Sequence, residues 1–405
     1  MLQLKRRHLS DLRGTARMAF DASEGIAGIV EKMHRTIQLQ PGPLGRSETG
    51  RSETDRLATD RTRGISAMVY RGIQGGIRLV GQGIDATLTP IAELLPEGES
   101  SPVRDAFLSA VNGVYGDYLA RTDNPLAIDM SLRFRGRKVD LANPASVFDQ
   151  NRSTTPAHKL LVLVHGLCMN DQQWNREGHD HGAALAEHCA FTPLYLRYNS
   201  GLHIGNNGQA LAEMLETLIR NWTSPVKEIA IVGHSMGGLV ARSACHYARE
   251  AGHTWPKHLQ KLVFLGTPHH GAPLERGGHG LDFVMDLSPY SAPFTRIART
   301  RSAGIADLRY GAITTGAHQD VPLPPHVKCY AAAAIRAQQR NGLSARLIGD
   351  GFVPLDSALG LHRDATRALA IPKERQSIVY RTKHVELLNH PEVYSQLRLW
   401  LDEPA

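Results

Sequence analysis

A chain of 405 residues with 42% hydrophobic and 21% charged residues is globular, and it is longer than one small core requires. Its formal net charge of +7 is concentrated at the front, where residues 1–80 hold 14 Lys and Arg against 8 Asp and Glu. Neither a nucleic-acid motif nor interleaved aromatic residues accompany these charges, so nucleic acid is not expected as a partner. A solvated helical face and a peripheral contact with an anionic membrane both fit them.

Cys168, Cys189, Cys245 and Cys329 show no Cys-x-x-Cys pairing, and the opening run Met1–His8 lacks the apolar core of a secretory signal. Reduced thiols and a cytoplasmic enzyme, membrane-associated if the basic segment binds lipid, are therefore expected. No run of roughly 18 apolar residues is present to suggest a transmembrane span.

In chain order, apolar residues at helical intervals (Phe20, Ile26, Ile29, Val30, Met33, Ile37) predict one or two amphipathic helices before Pro41, Gly42 and Pro43. The near-repeat Gly45–Gly50 and Gly50–Asp55 is polar and predicts an exposed loop around 40–62. A second helical stripe runs from Ile65 to Ile91, interrupted by Gly72, Gly75, Gly76, Gly81 and Gly83. Each interior glycine costs about 1 kcal/mol against alanine, so this helix needs close packing on another surface. A third helix is predicted over Pro102–Ala120, and Met130–Arg137 alternates like an edge strand.

From there strands and helices alternate. Strands are predicted at Leu160–Val164, Pro193–Tyr198, Glu228–Val232, Lys261–Leu265, His326–Ala332 and Ser377–Arg381. Helices are predicted at Gly208–Trp222, Gly238–Ala251 and Pro391–Asp402. This pattern implies an α/β class with a mostly parallel central sheet covered by helices on both faces. The division expected is a helical extension over 1–125 and a catalytic domain over 126–405, with an apolar cap insertion at 272–325.

The chemistry centres on Gly233-His234-Ser235-Met236-Gly237, a Gly-x-Ser-x-Gly segment between a strand and a helix. Glycines two residues to either side of the serine let the backbone double back and expose the Ser235 hydroxyl as a nucleophile. A serine needs a base and an orienting carboxylate, and in this arrangement both follow it in the chain. His384, just after the last strand, is preferred as base over His390, which looks like a helix-start residue. Asp350, between Gly349 and Gly351, is preferred as acid over Asp356 and Asp320. The amides of Met236 and Leu167 are the expected oxyanion donors, with His165 and Gly166 shaping the second loop. His179-Asp180-His181 and His269-His270 lack the spacing of a metal site, and neither a metal nor an organic cofactor is expected. Cys168 is read as a small packing residue, and Asn199, Leu202 and His203 as either pocket-facing or loop residues.

Taken together, these residues resemble the α/β-hydrolase superfamily in its lipase and esterase branch. Gly266-Thr-Pro-His-His-Gly271, Asp350-Gly-Phe-Val353 and His384-Val-Glu-Leu-Leu388 are also similar to segments of bacterial triacylglycerol lipases and GPI inositol-deacylase-like hydrolases. The resemblance covers roughly residues 130–405. It implies an α/β-hydrolase fold, carboxylic ester hydrolysis through an acyl-serine, and a small-molecule or lipid ester as substrate. Related secreted lipases carry a calcium-binding aspartate two residues after the catalytic histidine; that position is Glu386 here, and no calcium is expected. Acyl transfer by the same three residues, and a non-catalytic membrane-associated scaffold, are the alternatives.

Overall fold

The computed structural model describes residues 102–148, 158–272, 302–316, 320–337 and 349–403. The predicted helices before residue 102, the polar repeat and the apolar residues Leu274–Phe294 of the insertion lie outside the described residues.

Among the described residues there are ten strands, β1 (Ser131–Phe134), β2 (Arg137–Lys138), β3 (Lys159–Val164), β4 (Asn175–Arg176), β5 (His179–Asp180), β6 (Thr192–Arg197), β7 (Glu228–His234), β8 (Leu259–Leu265), β9 (Lys328–Ile335) and β10 (Gln376–Tyr380). Eight of them make one sheet in the order β10-β9-β8-β7-β3-β6-β1-β2, and β4 and β5 make a separate hairpin. From β10 to β6 every pairing is parallel, whereas β1 runs antiparallel to β6 and to β2. The predicted edge strand at 130–137 is thus a short hairpin, turned at Arg135 and Gly136, both with positive φ.

The middle stretches of the central strands are mostly apolar because both faces are buried. In β3, Leu160, Val162 and Val164 face one core layer while Leu161 and Leu163 face the other. Ile229 and Ile231 of β7 share the first layer, and Ala230 and Val232 the second. Helices α1 (Pro102–Arg121), α3 (Ile204–Asn221) and α4 (Met236–Glu250) fill the first layer through residues such as Leu119, Leu211, Leu215 and Val240. The second layer is closed by α2 (His181–Cys189) and α7 (Pro391–Asp402), through Leu185, Leu397 and Trp400. Two shorter helices, α5 (Ala303–Tyr310) and α6 (Leu355–Ala358), complete the described α-helices. None of the described helices is long and apolar enough to cross a membrane.

Helix α1 belongs to this core, although its sequence position lies within the extension expected over 1–125. Ala110, Val111, Val114, Tyr115 and Leu119 are buried in the same cluster as the sheet. Its glycines are sites of close approach: a Cβ on Gly113 would lie 2.3 Å from Cys168 Sγ, and one on Gly116 would lie 1.8 Å from Asn199 Oδ1. Arg197 of β6 is held by Asp105 of α1 at 2.8 Å and by Asp171. Helix α5, within the span expected as a cap, touches α1 as well, since Ser302 Oγ donates to the Gly113 carbonyl at 2.7 Å.

Two boundaries differ for physical reasons. Helix α3 starts four residues before the predicted Gly208, because Asp307 of α5 accepts the Ile204 amide at 2.8 Å and supplies a carboxylate at the helix N-terminus. Strand β9 runs past Ala332 through Ala333 and Ala334 to Ile335; these small side chains are fully or almost fully buried, so packing overrides a weak strand propensity.

Candidate active site

Strand β7 ends in the centre of the sheet, and the chain turns through Ser235 directly into α4. Ser235 has φ 54° and ψ −125°, a left-handed conformation that costs a non-glycine residue about 1–3 kcal/mol. The surrounding contacts impose it. A Cβ on Gly233 would lie 2.5 Å from Gly238 Cα, and one on Gly237 would lie 2.1 Å from the Val164 carbonyl oxygen. The Ser235 amide donates to Leu265 O at 2.8 Å, which ties the turn to β8. Its hydroxyl is buried and makes no hydrogen bond among the described residues.

Asp350 sits in a turn whose glycines both have positive φ, 54° at Gly349 and 103° at Gly351. A Cβ on Gly349 would collide with Val353 O at 1.9 Å, so the tight turn requires glycine there. One carboxylate oxygen accepts the amides of Phe352 and Val353, each at 2.9 Å. The other meets His384 Nδ1 at 2.6 Å, with both side chains almost completely buried. This bond leaves Nε2 as the ring atom available to a reacting group. The imidazole lies beside the elbow: a Cβ on Gly266, next to Leu265, would be 3.0 Å from His384 Cε1.

The competitors are engaged elsewhere. His390 caps α7, its Nδ1 accepting from the Glu392 amide at 3.3 Å. Asp356 lies in the first turn of α6, and Asp320 pairs with Arg367 at 3.4 Å. Glu386 accepts the Lys383 amide at 2.7 Å, capping the turn that carries His384.

Leu167 and Met236 are both fully buried, and neither amide is engaged by a backbone carbonyl among the described residues. The loop after β3 is held by His165, whose Nδ1 meets Gly166 O at 2.8 Å. Burial pushes the His165 ring down to about 3 despite that bond, with Arg197 adding a smaller push in the same direction, so it stays neutral. His234 projects toward His384, with ring centroids 4.8 Å apart and Nε2 donating to the His384 carbonyl at 3.3 Å. Burial, then the neighbouring His384, keeps the His234 ring well below its ordinary value. Cys168 is buried, with its thiol pushed up to about 12 by burial, which makes it a packing residue.

Tyr198 was not singled out by the sequence. Its ring stacks on His165 at 4.3 Å, and its hydroxyl donates to His165 O at 2.8 Å. The signal was positional: Leu196 is in register with Val164, so the residues just beyond these strand ends must be neighbours. Asn199 serves packing, donating to Gly116 O at 2.9 Å and accepting the Gly201 amide at 3.1 Å. His203 pairs with Asp307 at 3.0 Å. In the histidine-rich segment, His179 Nε2 meets His181 Nδ1 at 2.8 Å and His181 Nε2 meets Leu387 O at 3.0 Å. Among the described residues no group of three or more His, Cys, Asp or Glu is placed to hold a metal ion.

A mostly parallel sheet covered on both faces, with its serine elbow after a central strand, is the architecture of the α/β-hydrolase fold. More particularly, residues 157–349 match the family described as the PGAP1-like alpha/beta domain. Solved structures similar to the chain include the lipase BlEst2 of Bacillus licheniformis in mature form, at 17% identity and a TM-score of 0.38, covering 61% of this chain and 93% of that one. Aspergillus fumigatus lipase B is similar at 12% identity and a TM-score of 0.39, covering 95% of this chain and 83% of that one. A lipase-esterase related protein from Clostridium acetobutylicum matches at 14% identity and a TM-score of 0.34, covering 60% and 95%. No curated protein matches the chain.

Proposed function

We propose that the protein is a serine carboxylester hydrolase that cleaves an apolar or lipid ester through an acyl-serine. The observation that carries this reading is the buried 2.6 Å contact between His384 Nδ1 and Asp350, beside a serine held in a strained elbow.

In this mechanism Asp350 fixes the ring tautomer, so that His384 Nε2 takes the Ser235 proton as Oγ attacks the ester carbonyl. The serine–histidine hydrogen bond, which ligand-free sites commonly leave loose, tightens as substrate binds. Negative charge then develops on the carbonyl oxygen and is met by the Leu167 and Met236 amides, the second also lying at the positive end of α4. His384 passes its proton from Nε2 to the leaving alcohol, which leaves the acyl group on Ser235 Oγ. Water, deprotonated by the same nitrogen, attacks the acyl carbon and releases the acid. The apolar composition of residues 272–325 supports an apolar acyl group.

Ser235→Ala is expected to abolish hydrolysis of p-nitrophenyl esters and labelling by a fluorophosphonate. Labelling that persists in this variant removes Ser235 from its role. A chain-length series of p-nitrophenyl esters then separates a lipase, which prefers long acyl groups, from an esterase confined to short ones.

A further inference from the structure

A second cluster of buried polar groups lies on α4, about two turns beyond the elbow. Arg242 is only 6% exposed. Its Nη2 donates to Val321 O at 2.7 Å and its Nη1 to His269 Nδ1 at 3.3 Å. Asp320 acts on it electrostatically from across the cavity, but no carboxylate is within salt-bridge distance of it among the described residues, and its Nε–H has no acceptor there. His269 is 3% exposed. Because its Nδ1 accepts from Arg242, the proton of the neutral ring is on Nε2, and that donor also lacks an acceptor among the described residues.

Both residues line one cavity of about 250 Å³, which opens to solvent past Asp320 and Thr366. Arg367, paired with Asp320 at 3.4 Å, stands in the cavity wall and is partly exposed. Among the described residues the cavity thus holds two guanidinium groups against one carboxylate. Its two unsatisfied donors come from different segments, α4 and the loop after β8. A buried cation that no anion contacts directly is costly to a fold, and buried donors are nearly always satisfied, so a site that keeps both is suited to receive an acceptor. Donors approaching from separate segments suit a tetrahedral anion better than a flat carboxylate, which a single guanidinium fork binds in its own plane.

We propose that this cavity binds a phosphate-class oxyanion, with Arg242 Nε–H and His269 Nε2–H as its buried donors and Arg367 as the counter-charge at the mouth. Arg242, His269 and Arg367 are positioned for binding and take no part in the chemistry assigned to Ser235, so the two readings stand or fall separately. The anion is a free phosphate or the phosphate of a lipid headgroup; the donors recognise the same oxygens in either.

The test is calorimetric titration of inorganic phosphate, at matched ionic strength, into the full chain carrying Ser235→Ala, so that turnover plays no part. Saturable binding is expected, displaced by sulfate and weakened at least about tenfold in Arg242→Met, the loss of one charge-assisted hydrogen bond. A second arm uses monomeric dihexanoyl phosphatidic acid. Tighter binding that competes with phosphate identifies a headgroup, and binding of inorganic phosphate alone identifies the free anion. Should Arg242→Met not fold, as judged by circular dichroism, Arg367→Ala at the exposed mouth must still weaken phosphate binding. Binding of neither probe, or unchanged affinity in a folded Arg242→Met or in Arg367→Ala, overturns the proposal.

Discussion

Two buried arginines in this molecule are treated in opposite ways. Arg197, where β6 meets α1, is gripped by two carboxylates, Asp105 at 2.8 Å and Asp171, and its charge is fully used in joining the helix to the sheet. Arg242, on the helix that follows Ser235, has only a carbonyl and a neutral imidazole as hydrogen-bond partners among the described residues. The same contrast holds more widely. Around α1 the polar side chains close on one another: Asn112 spans to Leu126 O and Ile128 N, and Asn170 Nδ2 donates to Ser109 Oγ at 3.2 Å. Near the ends of the central strands, the Ser235 hydroxyl and the His269 ring keep unused hydrogen-bonding capacity among the described residues. Closed networks hold a fold together, and open ones mark where something else must bind or react.

Substitutions should separate the two kinds of site. The largest effect is expected from Asp350→Asn, which removes the charge that orients His384 while keeping the shape of the side chain. Activity on a p-nitrophenyl ester should fall by about 10⁴-fold with little change in urea stability. A modest fall would move the orienting carboxylate elsewhere.

Asp105→Ala, on the closed side, should do the reverse. Leaving Arg197 with one partner fewer in a buried setting is expected to destabilise the protein by about 3 kcal/mol, while activity per folded molecule is retained. An unchanged urea midpoint would make that network dispensable.

A smaller effect is expected from pH. Burial, as the leading cause, holds His165 down to about 3 and His181 down to about 4 in the folded protein, against about 6.5 when unfolded. Between these values the unfolded chain binds protons that the folded one does not. The contribution of each ring is therefore complete above about pH 6.5 and is lost as pH falls. The loss per histidine between pH 6.5 and 5 is about 2 kcal/mol, in a window above most carboxylate titrations. A urea series across that range should show the slope, and His165→Gln should make it shallower. A slope unchanged by that substitution would mean that His165 is protonated in the folded state.

The elbow was readable in the sequence because its requirements are local. Gly233 and Gly237 are spaced by the turn itself, and the apolar run before them can only be a buried strand. The turn that carries Asp350 was readable for the same reason, since it needs the two glycines that flank it. Helix α1 was visible as a helix but not as part of the core, because the partners that show it, Cys168, Arg197 and Asn199, lie more than 50 residues away in the chain. Helix α2 was missed altogether: its nine residues include two histidines and a glycine, and only the contacts of Leu185 and the bond from His181 to Leu387 O reveal its buried side.

Residue order alone thus determined the class of fold and singled out Ser235, Asp350 and His384 as candidates, since strand alternation and tight turns are dictated by neighbours a few positions apart. Tertiary structure alone decided that Asp350 Oδ2 and His384 Nδ1 meet at 2.6 Å, that α1 is walled into the core, and that Arg242 and His269 share a cavity. Those outcomes depend on packing between distant segments, where a displacement of one ångström separates a hydrogen bond from an unpaired group, and no local pattern carries that information.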